Sequence, residues 1–126
     1  MAQCYVVREP DRSLVAGFYT LSAGDVALRD MPEDIARKLP RYPVVPVARI
    51  GRLAIDTAFR GRRLGAALLW DAASRAMRAE VGIFALAVDA KDEQAVSFYR
   101  HHGFTAFQSA PDKLFLPLSA VAGLTP

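Results

Sequence analysis

The segment with the most evident chemistry is Arg-Gly-Arg-Arg-Leu-Gly-Ala at residues 60–66. It lies between a strand-like run and an amphipathic helical pattern, so it forms the turn into the helix. The first turn of a helix has backbone N–H groups without intrahelical partners, and the helix dipole is positive there. Small residues let an anion approach those donors, and three arginines add charge-assisted hydrogen bonds. The segment therefore suits a phosphate group.

A structural interpretation of the same segment stays open. The glycines could serve only tight packing while the arginines are solvated, and the local pattern does not decide between the two. The segment is not a P-loop, because no Gly-Lys-Ser/Thr follows it. Its glycine spacing also differs from that of the dinucleotide-binding fingerprint.

A second group of polar side chains follows the apolar run at residues 83–88, which is typical of a strand buried on both faces. Asp89, Lys91 and Asp92 come at its carboxyl end, where ligands of α/β sheets bind. Asp92 also suits the N-cap of a following helix. Tyr99 would lie on that helix, where its phenol is either a proton donor or a core side chain.

Cysteine and histidine are too scarce for several other chemistries. The single cysteine, Cys4, excludes an internal disulfide framework and a multi-cysteine metal site. The two histidines, His101 and His102, are adjacent, so a zinc site would need carboxylates from elsewhere. We expect no metal, and we interpret Cys4 as a small buried hydrophobe.

The overall pattern predicts an unexported protein of one domain. No apolar run approaches the ~18 residues that a membrane span needs. The N-terminus lacks the basic and then apolar layout of a signal peptide. We therefore expect a soluble, cytoplasmic protein whose 126 residues form a single domain, 1–126.

The basic residues are unevenly distributed along the chain. The net charge is +3, but residues 29–63 hold nine basic and four acidic residues, a net charge of +5. Most of these cations are arginine, whose planar fork suits phosphate. A GC-rich genome, which encodes arginine readily, explains the arginine content equally well. A basic surface of this kind is expected for a nucleic-acid partner, although for any single residue an ordinary solvated charge is the better explanation.

Hydrophobic patterns predict the α/β scaffold that must position these residues. Strands are predicted at residues 4–7, 14–21, 47–56, 83–88, 104–107 and 113–116, and helices at 32–39, 62–80 and 92–102. The clearest is the helix at 62–80, with apolar residues at helical spacing and Gly82 as its stop. Prolines at 40, 43 and 46 predict an extended connector. The strand, helix and strand between 47 and 88 predict a right-handed βαβ unit.

These motifs together resemble the GNAT N-acetyltransferases. Arg60 and Gly65 match the ends of the family's pyrophosphate motif, with Gly61 inside, while Arg63 stands where the family usually has its middle glycine. The similarity continues at residues 54–56, 64–69 and 95–104 and covers 47–107 at consistent spacing. It implies a central mixed, mostly antiparallel sheet with a βαβ cofactor-binding unit. It also implies acetyl-CoA as the cofactor.

The resemblance implies a role for each matching residue. The strand before the motif would bind the pantetheine arm through its backbone, and the helix start would bind the pyrophosphate. Tyr99 matches the tyrosine proposed to protonate the departing thiolate. The cofactor contacts that the resemblance implies are Leu53, Ala54, Ile55, Arg60, Gly61, Arg62, Arg63, Leu64, Gly65, Ala66, Ala95 and Phe98.

More narrowly, the chain is similar to the GNAT toxins of bacterial toxin–antitoxin pairs, which acetylate aminoacyl-tRNA. The similarity lies at residues 15–24, 39–47, 52–56, 86–90 and 114–118. An α-amine, with a pKa of about 7.7–8.0, is already partly neutral at pH 7, so this acceptor needs no strong base. The residues expected to contact the acceptor are Arg29, Arg41, Arg49, Arg52 and Asp89.

The similarity also implies partners and leaves alternatives. It implies a ribbon–helix–helix antitoxin and a homodimer. Against the family, the chain is expected to begin at the second strand, with no counterpart of the leading strand and helices before Cys4. A GNAT enzyme acting on small-molecule or protein amines is an alternative. A further alternative is a truncated, non-catalytic module that binds coenzyme A, antitoxin or RNA.

Overall fold

The computed structural model describes residues 2–8, 15–39, 43–56, 63–79, 82–108 and 110–119. The strands are β1 (Gln3–Arg8), β2 (Val15–Ala27), β3 (Val44–Ile55), β4 (Ala85–Asp89), β5 (Thr105–Phe107) and β6 (Ala110–Pro117). The α-helices are α1 (Glu33–Ala36), α2 (Leu64–Met77) and α3 (Glu93–His101), and a 3-10 helix spans Leu28–Asp30.

The six described strands form one sheet in the order β1-β2-β3-β4-β6-β5. Only β3 and β4 pair in parallel; the other neighbours are antiparallel. The β3-α2-β4 unit is the predicted βαβ unit, because a parallel pair needs a crossover connection. The mixed, mostly antiparallel sheet expected from the family resemblance is confirmed.

Helices cover both faces of this sheet. Along β4, Leu86 and Val88 face α2 and α3, whereas Ala85 and Ala87 face the α1 side. This alternation follows from the two-residue period of a strand. All four side chains are buried, so the uninterrupted apolar run is explained by a strand covered on both faces, as predicted.

Helix α2 packs its small apolar face onto the sheet. Its buried residues are Gly65, Leu68, Leu69, Ala72, Ala73 and Ala76, at the three- and four-residue spacing of one helix face. The helix ends at Met77 rather than near Gly82, so the predicted stop is wrong. The Arg78 amide donates to the Ser74 carbonyl and closes the last turn.

Two other sequence predictions are corrected by the structure. Pro46 lies inside β3, opposite Asp25 of β2, rather than in an extended connector. Its carbonyl accepts the Phe84 amide just before the parallel pairing with β4 begins at Val47, so a residue without an N–H is tolerated there. Cys4 is exposed on β1 instead of buried, because it lies on the strand's outward-facing side.

Strands β3 and β4 separate at the point that forms the candidate site. Their pairing ends at Ile50 and Val88, although β3 continues to Ile55. There β3 also carries a bulge, since Leu21 pairs with Ile50 and Tyr19 with Leu53, leaving two β3 residues opposite Thr20. The bulge and the end of β4 leave one edge of β3 without a strand neighbour.

The bulge depends on a glycine and a threonine. The Thr20 hydroxyl accepts the Arg52 amide at 2.9 Å. A Cβ on Gly51 would lie 2.7 Å from the same hydroxyl oxygen, closer than two such atoms can approach. Gly51 therefore allows the close approach of the two strands that bends β3 at the opening.

Candidate active site at the opening between β3 and β4

A cavity of about 450 Å³ opens where β3 and β4 separate. It is bounded by one edge of β3, the carboxyl end of β4 and one face of α3 that carries Ala95 and Tyr99. The residues that line it are Phe18, Gly51, Arg52, Leu53, Ala54, Val88, Asp89, Ala90, Lys91, Ala95 and Tyr99. The opening thus brings together residues from β2 to α3.

Tyr99 supplies a phenol to the wall of this cavity. Its side chain is buried, and its ring makes edge contacts with Phe98 and Phe104 at centroid distances of 5.2 Å. Burial raises the pKa of Tyr99 to about 12, because desolvation disfavours the phenolate. The hydroxyl therefore keeps its proton at neutral pH and can donate it or share it in a hydrogen bond.

Helix α3 holds Tyr99 in place through its N-terminus. The Asp92 carboxylate accepts the Ala95 amide at 2.8 Å, the predicted N-cap. Ala95, one turn before Tyr99, presents only a methyl group to the cavity. The cap fixes where the helix begins and therefore which residues face the opening.

The backbone of β3 faces the opening along its free edge. Leu53 and Ala54 line the cavity, while their other edge pairs with β2. Ile55 does not line it; its side chain packs into the core near Gly65. The open edge offers backbone N–H and C=O groups to an extended ligand.

The start of α2 has an unusual backbone. Arg63, the N-cap residue, has φ 58° and ψ 25°, a left-handed conformation that costs a residue with a Cβ about 1–2 kcal/mol. It is the position where the GNAT motif usually has glycine. Arg60, Gly61 and Arg62 lie outside the described residues.

The first turn of α2 packs against α3. A Cβ on Gly65 would lie 2.8 Å from the Phe98 ring, so only glycine permits this approach. Leu64, Gly65, Ala66 and Phe98 do not line the cavity; Gly65 and Phe98 instead bring the two helices together. The cofactor contacts expected for these residues stay predictions.

The candidate acceptor residues separate into two groups. Arg52 and Asp89 line the cavity, and Arg49 donates to the Asp89 carboxylate at 3.5 Å. Arg29 lies on the 3-10 helix beside the beginning of β3, roughly 25 Å along the strand from the opening at 3.3 Å per residue. Arg41 lies outside the described residues.

The remaining candidates for catalysis or metal binding lie elsewhere. Cys4 on β1 and the histidine pair at the end of α3 do not line the cavity. Desolvation and the neighbouring His101 lower the pKa of His102. In the described part of the chain no three His, Cys, Asp or Glu side chains cluster to hold a metal ion. Nor is any described helix long and apolar enough to cross a membrane.

Sequence reasoning missed several residues of the cavity wall. Phe18, Gly51, Val88 and Ala90 were not singled out, because they carry no reactive group. A glycine inside a strand pattern is a signal for a bulge, so Gly51 could have been found.

Comparison with known proteins identifies the family of this chain. The profile of the acetyltransferase (GNAT) family matches residues 2–104. The chain belongs to the GNAT acetyltransferase family.

Two related toxins extend the comparison within the GNAT family. A tRNA-acetylating toxin of Mycobacterium tuberculosis is 38% identical over 91% of this chain and 68% of that protein. A probable toxin TacT of Sinorhizobium fredii is 30% identical over 95% of this chain and 71% of that protein. The chain thus spans about 70% of the length of these relatives.

Solved structures share this GNAT fold. AtaT complexed with acetyl-methionyl-tRNAfMet is 29% identical with a TM-score of 0.85, covering 96% of this chain and 74% of that chain. A tyrosine-to-phenylalanine mutant of AtaT, bound to the C-terminus of the antitoxin AtaR and acetyl-CoA, is 26% identical with a TM-score of 0.70. It covers 95% of this chain and 69% of that chain.

Proposed function

We propose that this GNAT protein transfers an acetyl group from acetyl-CoA to the α-amine of aminoacyl-tRNA, as the toxin of a toxin–antitoxin pair. The observation that supports the proposal is the cavity between β3 and β4, which is lined both by Tyr99 and by the open edge of β3. The 38% identity to a tRNA-acetylating toxin supports the choice of acceptor.

The residues at the opening fit acetyl-CoA. Four of the residues that line the cavity have no side chain larger than a methyl group, namely Gly51, Ala54, Ala90 and Ala95, which leaves the backbone of β3 accessible to a ligand. The free edge of β3 at Leu53 and Ala54 would hold the pantetheine arm, and the first turn of α2 would hold the pyrophosphate. When bound, acetyl-CoA supplies an activated acetyl thioester.

Tyr99 is the proposed general acid. Its buried hydroxyl keeps its proton at neutral pH because its pKa is raised to about 12. It lines the same cavity as the open edge of β3, so its Oη can share a proton with the leaving sulfur.

The acceptor amine needs little help from the protein. An α-amine has a pKa near 7.7–8.0 in peptides, so about a tenth or more is neutral at pH 7. No histidine lines the cavity in the described residues, and its one carboxylate is Asp89. Direct attack by a neutral amine is therefore consistent with the side chains present.

The proposed function also defines partners and place of action. By analogy with AtaT, whose mutant was solved with the C-terminus of the antitoxin AtaR, the protein would bind an antitoxin. The family resemblance implies that this antitoxin is a ribbon–helix–helix protein and that the toxin forms a homodimer. Its aminoacyl-tRNA acceptor requires action in the cytoplasm. We assign all of this to the domain formed by residues 1–126.

An acetyl-transfer assay tests the proposal. Purified protein is mixed with labelled acetyl-CoA and with charged tRNA, uncharged tRNA, or free amino acids and polyamines. We expect label only on charged tRNA, where it is recovered as the N-acetyl-aminoacyl ester of the tRNA. Label on free amines but not on tRNA would contradict the acceptor, and coenzyme A binding without transfer would identify a non-catalytic module.

A further inference from the structure

The Asp89 carboxylate occupies a special place in the cavity. Of the described residues that line the opening, it is the only carboxylate. Val88 before it packs on the α2 and α3 side, while Ala87 packs on the α1 side. By strand alternation, Asp89 points to the α1 side of the sheet, whereas Tyr99 lies on the opposite side with α3.

The opening therefore connects the two faces of the sheet, which carry different chemical groups. The phenol and the first turn of α2 belong to the side on which α2 and α3 pack. The carboxylate lies at the other mouth, and its side chain is 56% exposed. A molecule entering from the α1 side meets Asp89 before it reaches Tyr99.

Cations surround this carboxylate. Arg49 Nη1 lies 3.5 Å from Asp89 Oδ1, Lys113 is the cross-strand partner of Asp89 on β6, and Arg52 and Lys91 line the same cavity. The Arg49 contact is longer than the roughly 2.7–2.9 Å of a strong charge-assisted hydrogen bond. An incoming ligand can therefore replace it.

Among the described residues, the cavity lining holds one carboxylate and two cations, and two further cations, Arg49 and Lys113, lie beside Asp89 on the neighbouring strands. A polyamine would be repelled by the surrounding positive charge. A molecule that carries one amino group close to phosphates would place the amine on Asp89 and the phosphates on the cations. The 3′ end of an aminoacylated RNA has this arrangement of charges.

We infer that Asp89 binds the acceptor's amino group, while Arg49 and Lys113 beside it bind the phosphates that follow. This inference rests on the proposed function and adds the residues that determine specificity. Asp89 accepts N–H hydrogen bonds from the neutral amine and holds it at the mouth opposite Tyr99. No bond is formed or broken at Asp89.

Steady-state kinetics with two acceptors test the inference. The acceptors are aminoacyl-tRNA and puromycin, an amide-linked aminoacyl nucleoside with an α-amine and no phosphate. Asp89→Asn should raise KM roughly 10- to 100-fold for both acceptors, the loss of a charged hydrogen bond. The affinity for coenzyme A, measured by calorimetry, should not change, and Asp89→Glu should restore part of the loss.

Arg49→Gln tests the role of the cation separately from that of the Asp89 carboxylate. It should raise KM for aminoacyl-tRNA but leave KM for puromycin unchanged. The matched controls are Asp25→Asn, an exposed carboxylate opposite Pro46 at the far end of β2, and Arg78→Gln, an exposed cation after α2. Both controls should behave as the unmodified protein.

The outcomes distinguish the two proposals. If the unmodified protein acetylates aminoacyl-tRNA but Asp89→Asn keeps its KM, the role of Asp89 is overturned and the proposed function stands. A parallel loss of coenzyme A affinity would also overturn it, because that is the signature of a structural role. If the unmodified protein acetylates neither acceptor, the proposed function fails and the inference fails with it.

Discussion

At the scale of single residues, Tyr99 combines burial, a raised pKa and a position on the cavity wall. If it is the general acid, Tyr99→Phe removes the proton and keeps the ring. Turnover should fall by about 10²–10⁴ while the affinity for coenzyme A is retained. Turnover is measured as single-turnover acetyl transfer, and the affinity for coenzyme A is measured by calorimetry.

Tyr5→Phe is the matched control for that experiment. Tyr5 stacks on Tyr19 at a centroid distance of 5.2 Å and does not line the cavity. It should retain full turnover. Unchanged turnover in Tyr99→Phe would remove Tyr99 from the mechanism.

The buried phenol also predicts a loss of stability in alkali. The pKa of Tyr99 rises from 10.0 to about 12 on folding, so above pH 10 the unfolded chain loses its proton first. The stability linked to this group is therefore complete below pH 10 and is lost as pH rises towards 12. At pH 11 this linkage should have lowered the free energy of unfolding by about 1 kcal/mol relative to pH below 10, since a pKa unit corresponds to about 1.36 kcal/mol.

Urea unfolding at pH 9 and pH 11 measures this loss. Between the two values, the unmodified protein should lose about 1 kcal/mol more free energy of unfolding than Tyr99→Phe. Equal losses in the two proteins would show that Tyr99 titrates with its ordinary pKa.

At the scale of elements, the beginning of α2 carries a conformational cost at Arg63. Its left-handed backbone suits glycine. Arg63→Gly should therefore be more stable to urea than Arg63→Ala by roughly 1 kcal/mol. At Ser74, inside the same helix, the order should reverse, because alanine is favoured over glycine in a helix interior by about 1 kcal/mol.

The order of stability of Arg63→Gly and Arg63→Ala tests whether residue 63 has a left-handed backbone in solution. If Arg63→Ala is the more stable of the pair, as at Ser74, the residue is not left-handed in solution. Arg63→Gly also supplies the residue usual in the family's motif, so its affinity for coenzyme A should equal or exceed that of the unmodified protein.

Hydrogen bonds in a polar cluster also link helix α2 to β2. Tyr19 donates a hydrogen bond to Asp71, Arg75 donates to both at 3.1 Å, and the Arg75 guanidinium lies 3.9 Å from the Tyr5 ring centroid. Burial, and then the hydrogen bond to Asp71, raises the pKa of Tyr19. This cluster holds the helix whose first turn packs against α3.

Asp71→Asn should weaken this attachment. Burial opposes ionisation of Asp71, but the hydrogen bonds from Tyr19 and Arg75 outweigh it and lower its pKa. The stability that the ionised Asp71 contributes is present above the ordinary pKa of an aspartate and is lost as pH falls below that value. At pH 7 we expect a loss of about 1 kcal/mol, since the side chains are partly exposed.

A second i,i+4 pair provides the control. Arg37 and Glu33 on α1 lie 3.0 Å apart with side chains 74% and 79% exposed. Glu33→Gln should cost less than roughly 0.5 kcal/mol. Equal costs for the two substitutions in urea unfolding would show that the tyrosine adds nothing to the Asp71 pair.

At the scale of the whole molecule, charge rather than shape should govern encounter with RNA. Cations gather at the mouth of the cavity, and the chain as a whole carries a net charge of +3. If about three phosphates are contacted, kcat/KM for aminoacyl-tRNA should fall roughly 20-fold between 50 and 200 mM salt, from a slope of about −0.7 per contact on a single strand.

Puromycin, without phosphate, distinguishes this effect from a general effect of salt. Its kcat/KM should change little over the same range. A salt dependence shared equally by both acceptors would mean that the mouth cations do not contact phosphate.

Local patterns in the sequence determined the elements of this protein. The apolar run of β4, the helical stripe of α2 and the Asp92 cap of α3 each depend on residues within about ten positions. The same is true of the motif that indicated the GNAT family. Such features were predictable because their physics is local in the chain.

Only the tertiary structure decided which candidates meet. Asp89 and Tyr99 share a cavity because the pairing of β3 with β4 ends at Ile50 and Val88 while a bulge bends β3. Arg29, equally basic in the sequence, lies beside the beginning of β3, far from the opening. Strand register joins residues distant in the chain through packing and hydrogen bonds that no local pattern records.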